Sequence, residues 1–96
     1  MAYSVIWIPE AEAELARLHL ATRGLAPGVA VPAAEIDDVL RYAPEDFGVP
    51  LEDFTSLWAF AAPTPVGDQR LAVVFRIVPD DMRVFVLKPY LIPART

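Results

Sequence analysis

The two apolar stretches of the last third of the sequence carry side chains that can grip an anion or move a proton, Arg70, Arg76, Arg83, Lys88 and Tyr90. A guanidinium holds phosphate or carboxylate in a two-bond fork and stays charged, lysine adds a point charge, and a phenol can donate or accept a proton. The rest of the reactive inventory is thin. His19 is the single histidine, and it stands beside Leu18 and Leu20 in a helical stretch, as a surface or boundary residue. Ser4 and Ser56 are the only serines, and neither sits in a nucleophile-elbow setting. With no cysteine there is no disulfide, thiolate nucleophile or sulfur-ligated zinc. Glycine-rich phosphate loops, nucleotide-binding motifs and HExxH are absent as well. Small-molecule catalysis is poorly supported, and no cofactor or metal is expected.

The formal charge is −5 over 96 residues, and it is unevenly spread. Residues 1–23 hold three acids and two bases, residues 24–69 eight acids and one base, and residues 70–96 two acids and five bases. The segment charges are therefore −1, −7 and +3. A uniformly acidic chain argues against nucleic acid as a partner; a basic final third reopens that question. The same split can serve self-association, acidic middle to basic end, and the arginines can equally be edge and rim solubilisers. A hydrophobic content of 55% is ample for a core and argues against disorder. No apolar run nears the roughly 18 to 20 residues that cross a bilayer, and no basic region leads into a hydrophobic signal segment. One domain spanning 1–96, without a membrane partner and located in the cytoplasm, is the expectation.

Two kinds of periodicity divide the chain. Tyr3, Val5 and Trp7 alternate with Ser4 and Ile6, so residues 2–8 read as a strand. Pro9 suits a helix start, and Glu10, Glu12 and Glu14 favour the positive end of the helix dipole. Ala11, Leu15, Leu18 and Thr22 share one face of this helix, about residues 10–23, with Gly24 as its stop. Gly24, Pro27 and Gly28 mark a connection over 24–31. A second helix begins between Val29 and Ala33, tolerates Pro32 only in its first turn, and ends at Tyr42 before Pro44. Its buried stripe is Ala33, Ile36, Leu40 and Ala43, while Glu35, Asp37, Asp38 and Arg41 face water. Residues 44–53 read as an acidic loop, 54–62 as a strand, and Val66–Gln69 as turn material. The stretches 70–78 and 82–90 form the clearest strands, joined by a tight turn at Pro79-Asp80-Asp81.

The predicted class is α+β. A two-helix hairpin packs on one face of a mostly antiparallel four-stranded sheet, in the order β-α-α-β-β-β. The predicted core contains Trp7, Leu15, Leu18, Ile36, Leu40, Val73, Phe75, Val84 and Val86. An even-numbered hairpin loop pairs Val78 with Arg83, Ile77 with Val84 and Arg76 with Phe85. Directly opposed residues share a sheet face. Leu71, Val73, Phe75, Ile77, Val84 and Val86 then form an apolar face for the helices to cover. Arg70, Arg76 and Arg83 collect on the other face around Ala72, Val74, Val78, Phe85 and Leu87. Continuing the alternation puts Lys88 and Tyr90 on the helix-covered face. Three guanidinium groups on one sheet face suit an anion-binding surface, for RNA phosphate or for a partner's acidic segment; the alternative is pairing with acids of the 44–53 loop.

The opening from Tyr3 to Leu18, the run Ile36-Asp37-Asp38-Val39-Leu40-Arg41 closing the second helix, and the late hairpin from Arg70 to Leu87 together resemble the RelE/ParE-like domains. These are the toxin halves of bacterial type II toxin–antitoxin pairs. The resemblance covers nearly the whole chain. It implies a macromolecular target and a cognate antitoxin peptide wrapped on the toxin. RelE-like members cleave mRNA on the ribosome without a metal, whereas ParE-like members inhibit gyrase. In the cleaving branch, basic residues of the late strands and an aromatic near the C-terminus do the work. Residues of matching type and region are Arg70, Arg76, Arg83, Lys88 and Tyr90. The chain departs from that branch in having one lysine, an acidic stretch before the hairpin, and little sequence after Tyr90. Those departures point to a ParE-like or non-cleaving member. A non-enzymatic dimerisation or protein-interaction domain of the same fold is the alternative reading.

Overall fold

The computed structural model describes residues 2–21, 30–51, 56–63 and 69–93. Its elements run β1 (Ser4–Trp7), α1 (Pro9–Ala21), α2 (Ala30–Tyr42), α3 (Pro44–Phe47), β2 (Val49–Pro50), β3 (Leu57–Pro63), β4 (Gln69–Val78) and β5 (Arg83–Pro93), with a 3-10 turn over Pro79–Asp81. The strands form one five-stranded sheet in the order β1-β5-β4-β3-β2. Only the β1–β5 pair is parallel. The expected α+β architecture of helices on a mostly antiparallel sheet is present. The sheet has one strand more than expected, because residues 44–50 are not simply a loop. Pro44 starts a single helical turn, and the chain then pairs Val49 with Ala59 and Pro50 with Trp58. The expected helix stop at Gly24, the loop residues Pro27 and Gly28, and the acids Glu52 and Asp53 lie outside the described residues.

Why α1 starts where it does is visible in the backbone. Pro9 occupies the first turn, where its missing N–H costs nothing, and the Ile8 carbonyl accepts the Glu12 N–H at 2.9 Å. Pro32 likewise lies within the first turn of α2 and is buried there. β1 is anchored at both ends: the Tyr3 N–H donates to the Arg41 carbonyl (2.8 Å) and the Ile8 N–H to the Val86 carbonyl (3.1 Å). The first bond ties the end of α2 to the start of β1, and the second extends the β1–β5 ladder to the start of α1.

The core lies between the helices and one face of the sheet. Ile36, Leu40, Leu71, Val73, Phe75, Val84 and Val86 are wholly excluded from solvent, with Ala11 and Leu18 beside them. Trp7 and Leu15, expected among them, are partly buried against this cluster. Phe75 is the centre, with its ring 6.4 Å from Trp58 and nearly parallel to it. Gly48 is small of necessity: a Cβ there would stand 2.6 Å from both Phe75 Cζ and the Pro44 carbonyl oxygen. The residue type at 48 thus lets α3 close over the edge of the core.

Two stability outcomes follow from this packing, both read by chemical denaturation. Phe75→Ala should cost about 3 to 5 kcal/mol, since it deletes a fully buried ring. Gly48→Ala should cost about 1 to 3 kcal/mol through overpacking against Phe75 and the Pro44 carbonyl. A neutral Gly48→Ala variant would mean that α3 can lift away from the sheet without loss.

Candidate functional site

The late hairpin pairs as its sequence implies at the turn end: Val78 with Arg83, Ile77 with Val84 and Arg76 with Phe85. The turn closes with Met82 in the left-handed region, at φ 52 and ψ 47. Its N–H bonds to the Pro79 carbonyl at 3.1 Å. That geometry is uncommon for a residue with a Cβ. Further along, the register shifts. Phe75 pairs with Val86, but Val74 pairs with Lys88, so Leu87 is an extra residue in β5. From this bulge onward every β5 side chain is displaced by one position relative to simple alternation.

The bulge corrects the expected positions of Lys88 and Tyr90. They lie opposite Val74 and Ala72, on the open face with the arginines and not on the helix-covered face. Pro89 and Leu91 turn to the core side instead; Pro89 is fully buried and Leu91 packs against the core cluster. A signal was present in Pro89, because proline inside a strand marks an edge or a bulge. Both apply, as β1 pairs β5 only as far as Val86.

Arg70, Arg76 and Arg83 all share the open face and are exposed, yet they do not form one cluster. Arg76 and Arg83 are diagonal neighbours across β4 and β5, with backbones about 7–8 Å apart. Arg70 is six residues along β4 from Arg76, roughly 20 Å away. It stands instead near Tyr90, where both border a shallow trough of about 360 Å³ with Phe47, Val49, Ala61 and Ile92. Among the described residues, no acid forms an ion pair with any of the three arginines. The loop acids do not serve as their partners where they are described: Glu45 accepts a hydrogen bond from the Tyr3 hydroxyl at 3.0 Å. That bond, aided by burial and the Glu45 charge, raises the Tyr3 phenol above its ordinary value.

The opposite face of the sheet holds a second concavity that sequence patterning did not single out. A groove of about 810 Å³ runs between α1 and α2 over β1. Asp37, expected to face water, is half-buried here and accepts the Trp7 indole N–H at 2.7 Å. An aromatic donor on β1 thus turns a helix-surface acid inward, a pairing across thirty positions that no local spacing encodes. His19 borders the groove and is exposed, as expected of a boundary residue. Among the described residues, no cluster of acids and histidine is arranged to hold a metal ion, and no helix is long and apolar enough to cross a membrane.

The Lys88 charge is felt at Glu14 on α1, although Lys88 lies in register with the open face. Glu14 takes two hydrogen bonds from Arg17, Nε to Oε1 at 2.9 Å and Nη2 to Oε2. These bonds hold its carboxyl below the ordinary range, and the charges of Arg17 and Lys88 lower it further. A carboxyl lowered on folding contributes stability above its unfolded pKa, and that contribution is lost as pH falls through the lowered value. Lys88→Met should therefore raise the Glu14 pKa in a side-chain carboxyl NMR titration, by less than Arg17→Ala does. An unchanged Glu14 titration in Lys88→Met would mean that the ammonium group points away from α1.

No protein-family model matches this sequence, and no curated protein sequence matches it significantly. Solved structures do. A chain of the toxin–antitoxin complex RelBE2 from Mycobacterium tuberculosis superposes with a TM-score of 0.63 at 23% identity, over 99% of this chain and 95% of that one. A chain of the archaeal RelE–RelB complex from Pyrococcus horikoshii OT3 superposes with a TM-score of 0.57 at 26% identity, over 98% and 97%. The resemblance read from the opening strand and helix and the late hairpin is therefore matched in three dimensions along nearly the entire chain. This chain thus shares the fold of those two chains from RelB–RelE complexes.

Proposed function

We infer that this protein is the toxin-like component of a bacterial type II toxin–antitoxin pair, held inactive in the cytoplasm by an acidic antitoxin segment on the open sheet face. The observation that carries the reading is that face itself. It presents Arg70, Arg76 and Arg83 without acidic partners among the described residues, interleaved with half-buried Val74, Val78, Phe85 and Tyr90. Apolar surface studded with cations that have no acidic partner among the described residues suits an acidic, amphipathic polypeptide, whose carboxylates would find two-bond partners there. The likeness to chains of two RelB–RelE complexes supports a partner of this kind. A homodimer through the same face is disfavoured, because two-fold pairing would bring the arginines of both copies together.

The single lysine and the acidic stretch before the hairpin favour binding over cleavage. Arg70, Tyr90 and Lys88 neighbour one another on the open face, with Arg76 and Arg83 toward the turn end of the hairpin. The free protein is accordingly read as a toxin that acts by occupying a macromolecular target, gyrase or the translation machinery, and not by cutting RNA.

Expression should arrest growth, and coexpression of the adjacent small reading frame should relieve the arrest. Arg76→Ala and Arg83→Ala should each weaken binding of that neighbour by roughly ten-fold, with melting temperature unchanged. Added salt should weaken the wild-type complex. Supercoiling and cell-free translation assays then separate the two targets. A neighbour that neither binds nor relieves toxicity overturns the reading.

A further inference from the structure

Asp37 is the one acid that the fold draws out of water without giving it a cation. It is half-buried in the concavity between α1 and α2, and its Oδ1 accepts the Trp7 indole N–H at 2.7 Å. Among the described residues that bond is its one side-chain contact, and no ion pair forms there. An ionised carboxylate offers about four acceptor sites. One indole donor leaves most of them facing Val5, Leu15, Ala33 and Ala34, and such a group is costly to keep away from water without further donors. Glu12 contributes a second carboxylate from α1, and no described lysine or arginine lines the space. The concavity measures about 810 Å³, within the roughly 300 to 1,000 Å³ of small-molecule sites.

We propose that this concavity is a binding site for a small amphipathic amine, one ammonium group on an apolar body about the size of an aromatic ring and a short chain. The ammonium brings three donors and a positive charge to Asp37, the group whose acceptors are unmet. Trp7 is the positioning residue, because its N–H holds the carboxylate at the floor of the space. The apolar body takes the place of water along Leu15 and Ala33, and that burial supplies the larger part of the binding. Alanine at 16 and at 34 keeps the two walls apart, and a longer side chain at either would fill the room the body needs. The sign of the lining excludes an organic acid. A polyamine matches the charge but has no apolar body, so it gains little from two carboxylates in contact with water. The site is on the helix side of the sheet and does not depend on what the arginine face binds.

The test is a titration of the full chain, labelled with nitrogen-15, with 4-phenylbutylamine, read at the two indole N–H resonances. The Trp7 signal should move to saturation, while that of Trp58, which stacks on Phe75 in the core, should stay in place. The acid 4-phenylbutanoate, the alcohol 4-phenylbutanol and spermidine should each bind at least ten-fold more weakly than the amine. Asp37→Asn, which retains an acceptor for the Trp7 N–H, should weaken amine binding roughly ten-fold. Glu12→Gln, at an exposed position, should weaken it about two-fold. Ala34→Leu, at an exposed wall position, should abolish binding with the melting temperature unchanged. Asp38→Asn, an exposed acid of α2 that does not line the space, should leave binding as it is. The proposal is overturned if the Trp7 signal does not move, if the alcohol or the acid binds as tightly as the amine, or if Asp38→Asn weakens binding as much as Asp37→Asn. Spermidine binding as tightly as the amine overturns it in favour of charge alone. A dimer that Ala34→Leu converts to monomer, seen by sedimentation, overturns it in favour of a second copy of this chain.

Discussion

The ladder between β4 and β5 is the interaction on which the rest of this structure depends. It is the longest pairing in the sheet, and it carries most of the residues that matter on both sides. On the covered side it supplies Leu71, Val73, Phe75, Val84 and Val86 to the core. On the open side it supplies Arg70, Arg76, Arg83, Lys88 and Tyr90. Because strand side chains alternate, every residue of the ladder is assigned to one of these two tasks by register alone. Leu87, the one extra residue in β5, reassigns everything after it. Pro89 is thereby buried and Tyr90 is brought out beside Arg70.

The helices cover one face of that sheet, and the remaining elements complete the covering. α1 packs on β5, and α2 spans from β1 toward β3. α3 fits over Phe75 because position 48 has no side chain. No described helix crosses the other face. Among the described residues, Phe47 and Val49 border its apolar surface beside Arg70 and Tyr90.

The two sides of the molecule also differ in sign. The open face is cationic, while the groove between the helices is lined by carboxylates and alanines. A surface divided in this way discriminates partners by repulsion as much as by attraction.

Element identity was legible in the sequence because it rests on local rules. Pro9 with its following acids, the 3.6-residue spacing of Ala11, Leu15 and Leu18, and the Val/Ile/Phe alternation around Pro79-Asp80-Asp81 each specify structure within a few residues. The core around Phe75, the turn-end pairing of the hairpin and the shared face of the three arginines follow from those same periods. What local spacing could not carry was decided by contacts between distant segments. The parallel pairing of β1 with β5, the edge strand Val49–Pro50, and the inward turn of Asp37 toward Trp7 each join residues far apart in sequence. The split of Arg70 from Arg76 and Arg83 was implicit in their spacing, but the company each keeps depends on the bulge at Leu87. Where one added residue flips the facing of all that follow, periodicity names the strand and only the tertiary ladder says which way its side chains point.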